Sequence, residues 1–182
     1  MALNVSWLHK SLTYLARDVT IQMAAQNIIR RLLAASVMTS SHGFGRSRNP
    51  EGVRLRKQAP GQTTYFAPGG NGMMMSEYGS SGWIDYRWLN GRLVGRLVAG
   101  QVQAIHGDQL DRPAAVTDAG QNTVWRAQNS PFDRVVVFST SAPLNIGFPG
   151  QYYDAETGYW NNGFRDYDAN TGRDIQSDPI WA

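Results

Sequence analysis

Tyr153-Asp154-Ala155-Glu156-Thr157-Gly158-Tyr159 and Tyr167-Asp168-Ala169-Asn170-Thr171-Gly172-Arg173 are two copies of one pattern, starting 14 residues apart. They share Tyr, Asp, Ala, Thr and Gly in order, and a short fixed period of this kind marks a repeated structural unit. Each copy reads as a turn. The Asp accepts hydrogen bonds from backbone just ahead of it and starts the reversal. The Gly takes positive φ and lets the chain leave into a returning strand. The Tyr ahead of the Asp gives the hairpin a large flat group to pack. Each copy is therefore a strand end, a loop and a strand start.

The same punctuation runs forward to residue 63. Thr63–Ala67, Met73–Tyr78, Trp83–Leu89, Arg92–Ala99, Gln101–His106, Thr123–Ala127, Arg134–Ser139 and Leu144–Phe148 are short runs of β-branched and aromatic residues, separated by Gly or Asn. Asn90-Gly91 is the strongest hairpin signal, a type I′ turn; Ala99-Gly100 and Asp118-Ala119-Gly120 come next. The gaps are too short for crossover helices, so the strands pair antiparallel. Within Trp83–Leu89, Ile84, Tyr86 and Trp88 form one face, apolar throughout, which is the expected packed side. The six Trp, eight Tyr and six Phe read as core and cross-strand packing rather than a sugar-binding platform.

The ordered set of motifs resembles the RHS repeat-associated core, and the tyrosine-aspartate copies resemble its YD repeat. The resemblance rests on Phe148–Gly158, Phe164-Arg165-Asp166-Tyr167, Gln176-Ser177-Asp178-Pro179, Asp108–Pro113, Val116–Ala119 and Val124–Ala127, across roughly residues 63–179. It implies a mainly β fold, an antiparallel β-hairpin ribbon of RHS/YD-repeat type; ahead of it, the apolar spacing of Leu12, Leu15, Val19, Met23, Leu33 and Val37 reads as a helical N-terminal extension. Three regions follow: a helical extension over 1–40, a basic flexible linker over 41–62, and an RHS core-like hairpin region over 63–182. The implied function is structural, as an encapsulating fragment of a polymorphic-toxin shell. Other RHS segments or a toxin cargo are the implied partners. The alternatives are a cell-surface carbohydrate- or cell-wall-binding YD-repeat module, and an autoproteolytic, aspartyl-protease-like core.

The last alternative turns on Asp178. The family's self-cleaving module uses an Asp-Pro-x-Gly motif and a second Asp downstream. Here Asp178-Pro179 matches its start, Trp181 stands where Gly is expected, and the sequence stops at Ala182. One carboxylate cannot form the dyad in which each charge shifts the other's pKa. The resemblance therefore implies a C-terminally truncated, non-enzymatic chain with Asp178 a lone remnant. Tyr153, Asp154, Gly158, Tyr167, Asp168, Gly172 and Arg173 are expected as repeat-motif residues without catalytic work. Asp154 and Asp168 are turn residues in this reading, and Asp166 and Asp174 surface charges flanking strands.

Net charge +3 hides an asymmetry. Residues 1–60 carry nine Lys/Arg against two Asp/Glu, or +7, and residues 61–182 carry eight against twelve, or −4. A nucleic-acid role read from the high overall pI would thus misdescribe the hairpin region. The linker arginines Arg46, Arg48, Arg54 and Arg56, with Lys57, lack interleaved aromatics to stack on bases and read as a solvated connector, so no nucleic-acid partner is expected. The apolar stripe of the predicted 16–36 helix is broken by Gln26 and Arg30, which favours a structural extension over a membrane-surface helix. No apolar run reaches spanning length and the start lacks a signal-peptide core; RHS proteins are exported or cell-surface, by a route this sequence does not write. With no cysteine and His9, His42 and His106 scattered, no metal site or cofactor is expected. His106 reads as a structural hydrogen-bonder.

Overall fold

The computed structural model describes residues 45–48, 53–69 and 73–177. The predicted helix over 16–36 and Asp178 lie outside the described residues. Fourteen strands are seen among the described residues, and they form two antiparallel sheets. The larger sheet holds β1 (Gly45–Arg48), β2 (Arg54–Ala59), β3 (Gln62–Pro68), β4 (Met74–Gly79), β5 (Gly82–Leu89), β6 (Arg92–Val98), β7 (Gln101–Gly107), β8 (Pro113–Thr117), β9 (Thr123–Asn129) and β10 (Arg134–Ser139), in sequence order. The smaller sheet holds β11 (Tyr152–Asp154), β12 (Tyr159–Asn162), β13 (Arg165–Asp168) and β14 (Arg173–Asp174). Within each sheet every strand pairs with the next, as in a hairpin ribbon. The mainly β, antiparallel class expected from the sequence is the class found.

Turn chemistry accounts for the connections. Asn90 and Gly91 take φ of 51° and 81°, and Ala99 and Gly100 take 50° and 79°. Positive φ at both central residues is what a type I′ hairpin demands, because only that twist matches the flanking strands. At Asp118 a wider loop forms: its carboxylate accepts the Asn122 N–H at 2.8 Å and its carbonyl accepts the Gln121 N–H at 3.0 Å.

Cross-strand register builds one inner face. Phe66 lies opposite Glu77, and Glu77 opposite Ile84. Tyr86 lies opposite Arg96, and Arg96 opposite Gln103. Ile105, Val116 and Trp125 continue the row. Ile84, Tyr86, Leu93, Ile105, Val116, Trp125 and Ala127 form the core with Leu144 and Ile146. As read from the alternation, Ile84 and Tyr86 are buried, while Trp88 is half-buried beyond a bulge at Arg87/Trp88.

Two expectations need correction. Residues 41–62 were expected to form a flexible linker, but Gly45–Arg48 and Arg54–Ala59 are paired strands of the large sheet. Their alternation was obscured by charged side chains facing an interior that supplies carboxylates. Leu144–Phe148 was expected as a strand, but it belongs to an irregular segment with one isolated bridge, Ile146 to Tyr152. That segment crosses the inner face and its carbonyls are met by side chains instead of a ladder. Arg96 donates to the carbonyls of Ala142 and Pro143, both at 2.9 Å, and Arg134 to those of Leu144 and Ile146 at 2.7 and 2.8 Å. Buried carbonyls need such partners wherever regular pairing stops.

Candidate functional site: an ionic clasp between the first strands and the repeat turns

The two repeat copies look alike in sequence and differ in what their aspartates do. In the second copy the Asp168 carboxylate accepts the Asn170 N–H at 2.9 Å and the Thr171 hydroxyl at 3.2 Å, and the Gly172 N–H reaches the Asp168 carbonyl. That is an Asp-initiated turn. In the first copy the backbone carbonyl of Asp154 closes the turn, accepting from the N–H groups of Thr157 and Gly158. Its carboxylate is released for other partners and is fully buried. Gly158 and Gly172 both take positive φ, 74° and 67°. Tyr153 packs on Trp160 with ring centroids 5.0 Å apart, Tyr167 lies opposite Trp160 across the β12–β13 pair, and Arg173 lies opposite Asp168.

The partners of Asp154 come from the far end of the chain. Arg54 donates through Nη1 at 2.6 Å, Lys57 through Nζ at 3.1 Å and Arg46 through Nη2 at 3.2 Å. Lys57 also reaches Glu156 at 3.0 Å, and Arg46 reaches Asp166 at 2.6 Å. Arg46 thus bridges two carboxylates, and three cations meet three carboxylates. The Arg54 guanidinium also packs against two rings that meet edge to face, 4.6 Å from the Phe66 centroid and 4.9 Å from that of Tyr152. Cation–π contact of a desolvated guanidinium is favourable by about 2 kcal/mol.

A second buried group adjoins the clasp through Tyr152. Glu77 accepts the hydroxyls of Tyr86 at 2.6 Å and Tyr152 at 2.5 Å, and Asn145 donates to Tyr152 at 3.0 Å. Burial raises the Glu77 carboxyl above its usual range, outweighing the lowering by the two tyrosines and by Lys57 and Arg54. Burial and the Glu77 charge drive both tyrosines well above the normal phenol value. For Asp166, burial pushes upward, but the hydrogen bonds from Arg46, Asn161 and Gln176 and the Arg46 charge prevail, so its pKa falls. Burial pulls the Arg46 guanidinium down, but Asp166, Asp154 and Glu156 more than offset it and the net shift is up. At the other end of the inner face Arg134, between the rings of Trp125 and Trp160 at 5.2 and 4.9 Å, is pushed down by burial to about 10.

These placements overturn the reading of Asp166 as a surface charge: it is buried, because β13 turns it toward β1. Asp174 does lie at a strand, paired to Arg165 at 2.9 Å. His106 is exposed on β7 and bonds Thr117 Oγ1 at 3.0 Å. Arg46, Arg54 and Lys57, expected in solvent, are bonded to carboxylates here, and Glu77, which no motif marks, is buried between two tyrosine hydroxyls. The usable signal was the opposed charge of front and rear: Arg46, Arg54 and Lys57 from the one meet Asp154, Glu156 and Asp166 from the other.

Asp154 and Asp166 are brought together, but Arg46 sits between them, so neither carboxylate is left to share a proton with the other. Among the described residues no three His, Cys, Asp or Glu side chains are grouped to hold a metal ion, and no helix is long and apolar enough to cross a membrane.

No family model matches the chain. Double-stranded DNA deaminase toxin A of Burkholderia cenocepacia (strain H111) is 35% identical over 89 residues, which cover 45% of this chain and 6% of that protein. Among solved structures, a chain of the Photorhabdus luminescens Tc holotoxin pore bearing a TccC3 mutation aligns over 78% of this chain with a TM-score of 0.54 and 16% identity. At that identity the likeness is one of fold. The chain spans 8% of the length of that holotoxin chain.

Proposed function

We propose that this chain is a wall segment of an RHS-type toxin container, with a structural role and no turnover of its own. The observation that carries the reading is the ionic clasp. It fastens a small sheet of repeat hairpins across the inner face of a long ribbon, and it consumes the charges that would otherwise do chemistry. The likeness in fold to a Tc holotoxin chain and the local identity to a deaminase toxin support a toxin-associated role. In this reading the cargo is a toxin domain, and Asp178 is a motif remnant that cuts nothing.

Two measurements test it. An unfolded reporter segment appended after Ala182 should be degraded by added protease more slowly than the free segment; equal rates would remove the encapsulating role. Prolonged incubation of the purified chain should leave one intact mass, and a defined fragment would instead favour the self-cleaving reading. Carbohydrate binding is the second reading. It is favoured by a cavity of about 260 Å³ whose wall includes Phe132, Phe148, Trp160, Tyr167, Asn129 and Asn162. A glycan panel that leaves tryptophan emission unchanged counts against it.

A further inference from the structure

β10 closes one side of the large sheet and, among the described residues, has no strand beyond it. Its sequence is Arg-Val-Val-Val-Phe-Ser. Val135, Val136, Val137 and Phe138 are 61, 46, 48 and 45% exposed, so both sides of the strand are apolar and open. Edge strands are normally blunted by lysine, proline or inward charge, because their free N–H and C=O groups template a further strand. β10 carries no lysine or proline; its devices are the bulge between Val136 and Phe138 and the inward Arg134. Its single charged residue, Arg134, is already committed to two carbonyls and two tryptophan rings. The opposite edge, β1, is built differently: it is Gly-Arg-Ser-Arg, and Arg46 is held in the clasp.

Along the flank of β10 runs a groove of about 500 Å³, walled by Trp125, Val136, Leu144, Tyr153, Ala155 and Trp160. A strand added to β10 would roof this groove and send every second side chain toward it. The occupant must therefore be extended and apolar along its middle. β10 itself, with four apolar residues between Arg134 and Ser139, meets that description.

We propose that β10 pairs antiparallel with β10 of a second copy, joining two ribbons edge to edge. Centred between Val136 and Val137, this pairing sets Arg134 against the partner's Ser139, Val135 against the partner's Phe138 and Val136 against the partner's Val137. No like charges face each other, whereas parallel pairing would bring the two Arg134 residues together. Directly opposed apolar pairs of this type are the favourable unit of sheet association. The interface is isologous, so it stops at a dimer.

The full chain should sediment as a monomer–dimer equilibrium between micromolar and near-millimolar concentration. Val135→Lys/Val137→Lys should weaken association by about tenfold or more, since lysines on an edge oppose strand addition. Val102→Lys, at a residue equally exposed but inside the sheet, should leave association unchanged. Circular dichroism checks that each variant keeps its strands. The chain has no cysteine, so register can be read by cross-linking. An equimolar mixture of Val135→Cys and Phe138→Cys chains should form disulfide dimers, and either variant alone should form far fewer. A wild-type monomer throughout, species larger than a dimer, a dimer indifferent to Val135→Lys/Val137→Lys, or equal sensitivity to Val102→Lys would each overturn the proposal.

Discussion

Replacing Asp154 tests the central physical claim directly. Its carboxylate has no exposed surface and holds Arg54 and Lys57, whose side chains are 3% and 9% exposed. Removing one partner of a buried ion pair strands the other, at a cost of about 3–5 kcal/mol. Asp154→Asn keeps the shape and one acceptor oxygen, so it belongs near the low end; Asp154→Ala belongs near the top. For a chain of this length each kcal/mol moves the midpoint by about 2–4 °C, so the expected fall is roughly 6–20 °C. Urea unfolding followed by tryptophan fluorescence and by far-ultraviolet circular dichroism gives the free energy. Asp168→Asn is the internal control, because the same motif position there only caps a turn, worth about 1 kcal/mol by analogy with helix caps. Losses at Asp154 below about 1 kcal/mol would match an exposed ion pair and refute the clasp as described. So would equal losses at Asp154 and Asp168.

Three further outcomes follow from the same contacts. Asp166 has a depressed folded pKa, so its contribution is present above the unfolded carboxylate value and disappears as pH falls through the folded one. Acid unfolding of Asp166→Asn should therefore begin from a lower plateau and show a shallower fall than wild type; parallel curves would count against the assignment. Glu77 has the opposite sign: its raised pKa makes the wild type lose stability as pH rises from the unfolded value toward the folded one. Glu77→Gln should gain on wild type across that window in pH-resolved melting, and a pH-independent difference would contradict it. Gly147→Ala would place a methyl 2.4 Å from the Trp160 ring, so about 1–3 kcal/mol should be lost in urea melts; an unchanged midpoint would show that the ring has room to retreat.

Much of the ribbon was legible because its signals are local. Asn90-Gly91 needs only two residues to specify its turn, and the Ile84/Tyr86 alternation needs four to specify a face. β8 escaped notice because Pro113-Ala114-Ala115 lacks β-branched residues, and its pairing is set by neighbours on both sides. The clasp was illegible for a different reason. Arg46 lies 120 residues from Asp166, and Arg54 lies 100 residues from Asp154. Nothing near Arg54 distinguishes a solvent-facing guanidinium from one buried against two rings. Nor does anything in Tyr-Asp-Ala-x-Thr-Gly tell which aspartate spends its carboxylate on its own turn. That choice is made by which cations the ribbon delivers.

Those separations also bear on the order of events during synthesis. β1 and β2 leave the ribosome with their arginines and lysine unmatched, and about a hundred residues must follow before Asp154 exists to receive them. Contacts so far apart in sequence are late and slow, since long loops must close before anything is gained. The newborn ribbon therefore waits, open on its positive side, until its last hairpins swing across and fasten.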